Sequence, residues 1–155
     1  MSKTWQVFVD GASRGNPGNA GAGIYIKFDD EESLKSSAYL GKKTNNQAEY
    51  LALLLALFFL KKELSKHRQI PEVIIISDSE LLIKQMKGEY QVKNPILHQM
   101  KSLIDLLLEN IDCKFKHVLR EKNKIADKLA NQGIDNKKAI PVAFKNLLEK
   151  YQVRI

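Results

Sequence analysis

A single cysteine, Cys113, among 155 residues rules out an internal disulfide and a cysteine-rich zinc site. Neither a disulfide-stapled secreted domain nor a zinc ribbon therefore fits, and a reducing compartment is expected. Long apolar runs are also missing: the longest, Leu51 to Leu60, has ten residues against the roughly 20 that a bilayer-spanning helix needs. Residues 1 to 20 carry charges and a Gly/Asn/Pro cluster where a signal peptide needs an apolar stretch. The expectation is a soluble, cytoplasmic protein without membrane association. Glycine and proline are few, 8 and 4, and no repeat or low-complexity block occurs, which excludes collagenous and disordered chains. One domain with a substantial core is expected over residues 1 to 155.

What is plentiful is basic charge. Lys and Arg number 25 against 18 Asp and Glu, a net +7 with pI near 9.4, which favours a polyanionic partner, nucleic acid ahead of membrane. The first 40 residues carry a net −1 and the remainder +8. Basic clusters lie at Lys61 to Arg68, Lys84 to Lys93 and Lys114 to Lys124, so an anion-binding surface is expected to draw on the later elements.

Trp5 to Asp10 alternates as a strand, Gly11 to Gly18 is a concentrated turn signal, and Gly21 to Phe28 and Leu34 to Leu40 resume extended patterns. The first forty residues thus read as an antiparallel meander. Thr44-Asn-Asn46 can cap a helix over Ala48 to Lys62, apolar nearly all round. Val73-Ile-Ile-Ile-Ser77, introduced by Pro71, has the continuous apolar character of a central strand buried on both faces. Ser77 and Glu80 have capping-box spacing before a helix over Leu81 to Lys87. Pro95 opens a helix to about Asn110, Lys114 to Leu119 alternates as a last strand, and Asn123 can cap a helix from Lys124 to about Gly133. The tail from Asn136 to Ile155 contains a short helix, Val142 to Tyr151, expected to pack through Val142, Phe144, Leu147 and Leu148. The order βββαβααβα plus a tail helix implies one α/β domain with a mixed sheet.

Asp10 and Asp78 each end a strand, and adjacent parallel strands would bring them to one sheet edge. Glu49 and Asp127 lie in helices among apolar neighbours and can face inward. Each acid alone has a plain structural explanation as a turn residue or a helix-start charge. Four carboxylates converging on one spot would repel one another and persist mainly by binding a hard cation. That chemistry is magnesium-assisted phosphoryl transfer, in which two ions assist attack on a phosphodiester and departure of the 3′ oxygen.

Phe8-Val-Asp10-Gly-Ala-Ser-Arg-Gly-Asn16-Pro-Gly18, Thr44-Asn-Asn-Gln-Ala-Glu49-Tyr, Ile76-Ser-Asp78-Ser and Asn123-Lys-Ile-Ala-Asp127-Lys-Leu-Ala resemble the four signature segments of type 1 ribonuclease H, in the family's order, over residues 5 to about 133. The resemblance implies the ribonuclease H-like fold, with a five-stranded mixed sheet flanked by helices. It implies hydrolysis of the RNA strand of RNA/DNA hybrids, leaving 5′-phosphate and 3′-hydroxyl ends. Asp10, Glu49, Asp78 and Asp127 would bind two magnesium ions, with manganese an alternative. Asn16, Asn45 and Asn46 match positions that contact ribose 2′-hydroxyls, and Thr44, with Lys42 nearby, the region that holds a DNA-strand phosphate.

Two departures matter. Only Gly88 to Asn94 stands where many members insert a helix and a basic, Trp-containing loop. With no hybrid-binding domain expected either, affinity must come from the catalytic face and from Lys84, Lys87 and Lys93, and fall steeply with salt. The loop Leu119-Arg-Glu-Lys122 lacks the mobile histidine of many relatives; Arg120 is the candidate for contacting phosphate, while His117 reads as a strand residue and His67 and His98 have no role. A monomer without an obligate protein partner is expected. The alternatives are a DNA-cutting nuclease on the same fold and a non-catalytic hybrid-binding protein. The Thr-Asn-Asn-Gln-Ala-Glu segment argues against the first and the full set of acids against the second.

Overall fold

The computed structural model describes residues 4–67 and 72–154, so Arg68 and Pro71 lie outside the described residues. Three long strands come first, β1 (Thr4–Gly15), β2 (Gly18–Phe28) and β3 (Glu31–Lys43). Helix α1 (Asn45–Leu64), strand β4 (Glu72–Ser77), helices α2 (Glu80–Met86) and α3 (Pro95–Leu107) and strand β5 (Asp112–His117) follow. A 3-10 turn at Arg120–Lys122 leads into α4 (Lys124–Asp135) and α5 (Val142–Lys150). The strands form one sheet in the order β3-β2-β1-β4-β5, antiparallel in the meander and parallel at β1–β4 and β4–β5. The mixed five-stranded sheet expected from the sequence is present.

Residues Gly11 to Gly18 are not a loop. β1 continues to Gly15 and β2 begins at Gly18, leaving Asn16 and Pro17, joined by a cis peptide bond, as the turn. The Ser13 hydroxyl donates to the Lys43 carbonyl at 2.8 Å, fastening this hairpin to the end of β3.

Helix starts also differ from expectation in ways that side-chain chemistry explains. α1 begins at Asn45 because Thr44 closes a reciprocal capping box: its Oγ1 accepts from the Gln47 N–H at 3.1 Å, and Gln47 Oε1 accepts from the Thr44 N–H at 2.9 Å. α2 is capped by Ser79, whose Oγ accepts from the Leu82 N–H, rather than by Ser77, which is fully buried and accepts from the Ser79 N–H. α3 ends at Leu107, and Asn110 takes a left-handed conformation (φ 64°) beyond it. β5 ends at His117, two residues before the expected boundary. Asn123 precedes α4 without capping it, because its Nδ2 donates to the Val9 carbonyl at 2.9 Å.

Alternation along the strands assigns the two sheet faces. Val7, Val9, Ile24, Ile26, Val73 and Ile75 are buried in one hydrophobic core with α1 and α3, whereas Gly21 and Gly23 point the other way, against α4. Ile74 is half-buried, so β4 is sealed fully on one face, not on both as its composition suggests. The tail packs back through Phe144, Leu148 and Val153, with Phe144 5.6 Å from the Phe58 ring. Val142, expected in that contact, is 74% exposed at the start of α5.

Candidate active site

Parallel pairing of β1 with β4 sets the geometry. Phe8 lies opposite Ile76, and the same register carried two residues on brings Asp10 level with Asp78 at the edge where open α/β sheets gather functional groups. Glu49 arrives from the start of α1. A Cβ on Gly11 would lie 2.2 Å from the Ala48 carbonyl carbon, so only glycine lets that helix settle so close to β1. The Gly11 N–H then donates to Glu49 Oε2 at 3.2 Å. One carboxylate oxygen from each of Asp10, Glu49 and Asp78 lies within 4.8 Å of the others.

Asp127, in the first turn of α4, stands outside that trio but lines the same open cleft of about 440 Å³. Burial, and then the charges of Asp78 and Asp127, push Asp10 up to about 8. Burial, and then the charges of Asp10 and Asp78, also hold Glu49 well above the usual carboxylate range, against the lowering effect of the Gly11 N–H. Such a cluster cannot ionise completely without a counter-charge, and its oxygen-only donor set suits a hard divalent cation.

Of the other residues singled out in the sequence, Asn45, Asn46 and Arg120 line the cleft beside the acids. Asn16 instead accepts the Asn45 N–H through Oδ1 at 3.0 Å, supporting that residue from the hairpin turn. Thr44 is occupied as the α1 cap, and Lys42, exposed near the end of β3, does not line the cleft. Arg120 is 80% exposed, with Nη2 3.7 Å from Asp127 Oδ1. His117 is the last residue of β5, exposed to solvent. Sequence reading missed Ser79, which caps α2 and lines the cleft; its signal, a serine directly before a glutamate, was masked by Ser77 at the rival spacing.

The chain matches the family model described as reverse transcriptase-like over residues 8–133. It is 35% identical over 132 residues to Ribonuclease HI of Halobacterium salinarum, covering 84% of this chain but only 64% of that relative's length. It is 30% identical over 151 residues to Ribonuclease H of Mannheimia succiniciproducens, covering 88% of this chain and 90% of the relative. Among solved structures it is similar to LC11-RNase H1, isolated from compost and crystallised with an RNA/DNA hybrid. The TM-score is 0.80 at 40% identity, covering 85% of this chain and 97% of that one. Likeness in sequence and likeness in fold lead to the same place, and the chain belongs to the type 1 ribonuclease H family.

Proposed function

We propose that the chain hydrolyses the RNA strand of RNA/DNA hybrids, leaving 5′-phosphate and 3′-hydroxyl ends, with Asp10, Glu49, Asp78 and Asp127 holding two magnesium ions. The observation that carries this reading is the meeting of three carboxylates within 4.8 Å, with the fourth on the same cleft. Magnesium bound there supplies Lewis acidity and positive charge at the scissile phosphate, and manganese accepts the same oxygen ligands.

The chain's own groups hold and select the substrate. Water adds to phosphorus as the bond to the 3′ oxygen breaks; one proton leaves the water and one is taken up by the departing oxygen. Glu49 is held for its part by the Gly11 N–H. Asn45 and Asn46 read ribose 2′-hydroxyls, since an amide offers both donor and acceptor to a group that is itself both. Asn16 orients Asn45, and Thr44 with Lys42 holds a phosphate of the DNA strand farther along the duplex. The hybrid bound by LC11-RNase H1 supports the substrate class. Among the described residues no helix is long and apolar enough to cross a membrane. The reading is completed by a cytoplasmic monomer that acts as one catalytic domain over residues 1–155 and needs no protein partner.

A gel assay with labelled RNA/DNA hybrid, duplex RNA and duplex DNA tests the substrate, and only the hybrid is cut. Cleavage of duplex DNA at a comparable rate would overturn the assignment. Because several 2′-hydroxyls are read together, a lone ribonucleotide within duplex DNA is cut poorly and a run of ribonucleotides efficiently. Product lengths from substrates carrying one to six ribonucleotides check this, and efficient cleavage at a single one contradicts the role of the asparagines.

Arg120→Ala lowers the single-turnover rate about tenfold, equivalent to roughly 1.4 kcal/mol, by removing a charge-assisted phosphate contact. His117→Ala does much less. The pH–rate profile accordingly shows no step near the ordinary histidine pKa of about 6.5, because a guanidinium stays charged throughout that range. The reverse ranking of the two folded variants would return the role to His117.

A further inference from the structure

The sheet face that carries α4 holds a second concave site. Phe8 on β1 pairs with Tyr25 on β2, and alternation turns both, with Lys27, toward the face of Gly23 and away from the core. The two rings, half-buried, approach to 5.6 Å at 32°. Above them, the Arg120–Lys122 turn and the first turn of α4 close a pocket of about 260 Å³, lined by Phe8, Tyr25, Lys27, Lys122, Asn123 and Lys124 among others.

Its chemistry is mixed in a specific way. The rings give flat apolar walls. Lys122 and Lys124 are exposed and make no ion pair among the described residues, and Lys27 has only a 3.9 Å contact with the exposed Asp30; Glu121 is the acid at the rim. α4 starts without a side-chain cap, so its first N–H groups keep no intrahelical partner and favour an anion. Asn123 is 2% exposed, and its Oδ1 has no hydrogen-bond partner among the described residues. The volume lies just below the roughly 300–1,000 Å³ of ordinary small-molecule pockets, which suits one planar ring system and excludes an extended ligand.

The position narrows the ligand. Arg120 and Asp127 face the catalytic cleft, while Glu121 to Ala126 face this pocket, so a strand leaving the cleft across the turn meets the pocket next. We propose that it binds one nucleotide of a single-stranded segment, the base against Phe8 and Tyr25 and the phosphate at Lys122, Lys124 and the start of α4. Aromatic stacking beside lysines is the recurring means of holding unpaired nucleic acid. The site is separate from the duplex cleft, and its occupancy does not depend on cleavage.

Fluorescence anisotropy with a labelled oligouridylate of about ten nucleotides, in EDTA so that nothing is cut, tests the proposal. Tyr25→Ala weakens binding about tenfold and Tyr25→Phe restores it. Lys124→Glu, at an exposed helix start, also weakens binding and reduces the salt slope by about one charge. Binding of a blunt-ended RNA/DNA hybrid by the same variants stays within about twofold, which separates the pocket from the cleft. Uridine 5′-monophosphate displaces the oligomer at concentrations where inorganic phosphate of equal ionic strength does not. Thermal melting establishes that each variant is folded, and Lys124→Glu keeps the test valid should Tyr25→Ala unfold. Unchanged oligomer affinity in folded Lys124→Glu, or an equal loss for the blunt hybrid, overturns the proposal.

Discussion

Asp10→Asn lowers magnesium-dependent cleavage of an RNA/DNA hybrid about a thousandfold or more while leaving hybrid binding measurable. The substitution keeps the size of the side chain and removes the charge at the centre of the cluster, where Asp10 is only 5% exposed. The same change stabilises the protein in EDTA. An acid whose folded pKa is raised binds protons more tightly when folded, so stability falls as pH rises from its ordinary value of 3.8 to about 8. Asparagine carries no such charge. At pH 8 in EDTA the variant therefore melts higher than the parent, by on the order of 5 °C, and the gap closes toward pH 4. Melting curves at the two pH values, with cleavage in magnesium, check both halves. Cleavage retained within tenfold of the parent would remove Asp10 from the proposed metal site.

Gly23→Ala is the second large effect, and it acts through backbone. A Cβ at that position would lie 2.0 Å from the Ala126 carbonyl oxygen and 2.5 Å from the Ala130 nitrogen. Both are main-chain atoms of α4, so no side chain can rotate aside and the helix itself must move off the sheet. A loss of about 3 kcal/mol or more is expected, or about 10 °C in melting temperature. Because α4 carries Asp127, cleavage falls as well, even at temperatures where the variant is folded. Gly41→Ala is the control: its φ of +79° disfavours a side chain, but nothing lies within 4 Å, so it costs only about 1 kcal/mol. Equal melting temperatures for the two variants would contradict the close-packed contact.

That contact marks where sequence reading stops. Asp10 and Asp78 are visible in the chain because an acid just after an apolar, β-branched run is locally unusual, even though β1 continues past Asp10 to Gly15, and the element order follows from periodicity with turn and cap signals. Register is another matter. Nothing local to Phe8 or Ile76 states that they pair, yet that pairing makes the two acids neighbours. The glycines mislead for the same reason. Gly11, Gly15 and Gly18 look like loop residues in a string that also holds Asn16 and Pro17, but Gly11 lies within a strand and serves the approach of a helix that begins at residue 45. Ser77 and Ser79 both satisfy local capping rules. Ser79 takes the role because Ser77 is still inside β4, with its hydroxyl accepting from the Ser79 N–H. Asn123 has the composition of a cap, yet its amide bonds to Val9, 114 residues earlier.

The sheet order also governs how the chain comes into being. The meander joins near neighbours, with hairpins closing at Asn16–Pro17 and Asp29–Asp30, whereas Phe8 must wait for Ile76, 68 positions later. Contacts of such long sequence separation form slowly, since the entropy of a large loop is lost before any pairing is gained. On a translating ribosome, β1 is paired on one side while its other edge stays open until β4 has emerged, an interval in which chaperones or neighbouring chains can reach it. Asp127 comes later still, on the helix that docks against Gly21 and Gly23. A nascent chain thus carries no complete set of carboxylates until α4 has been synthesised and seated.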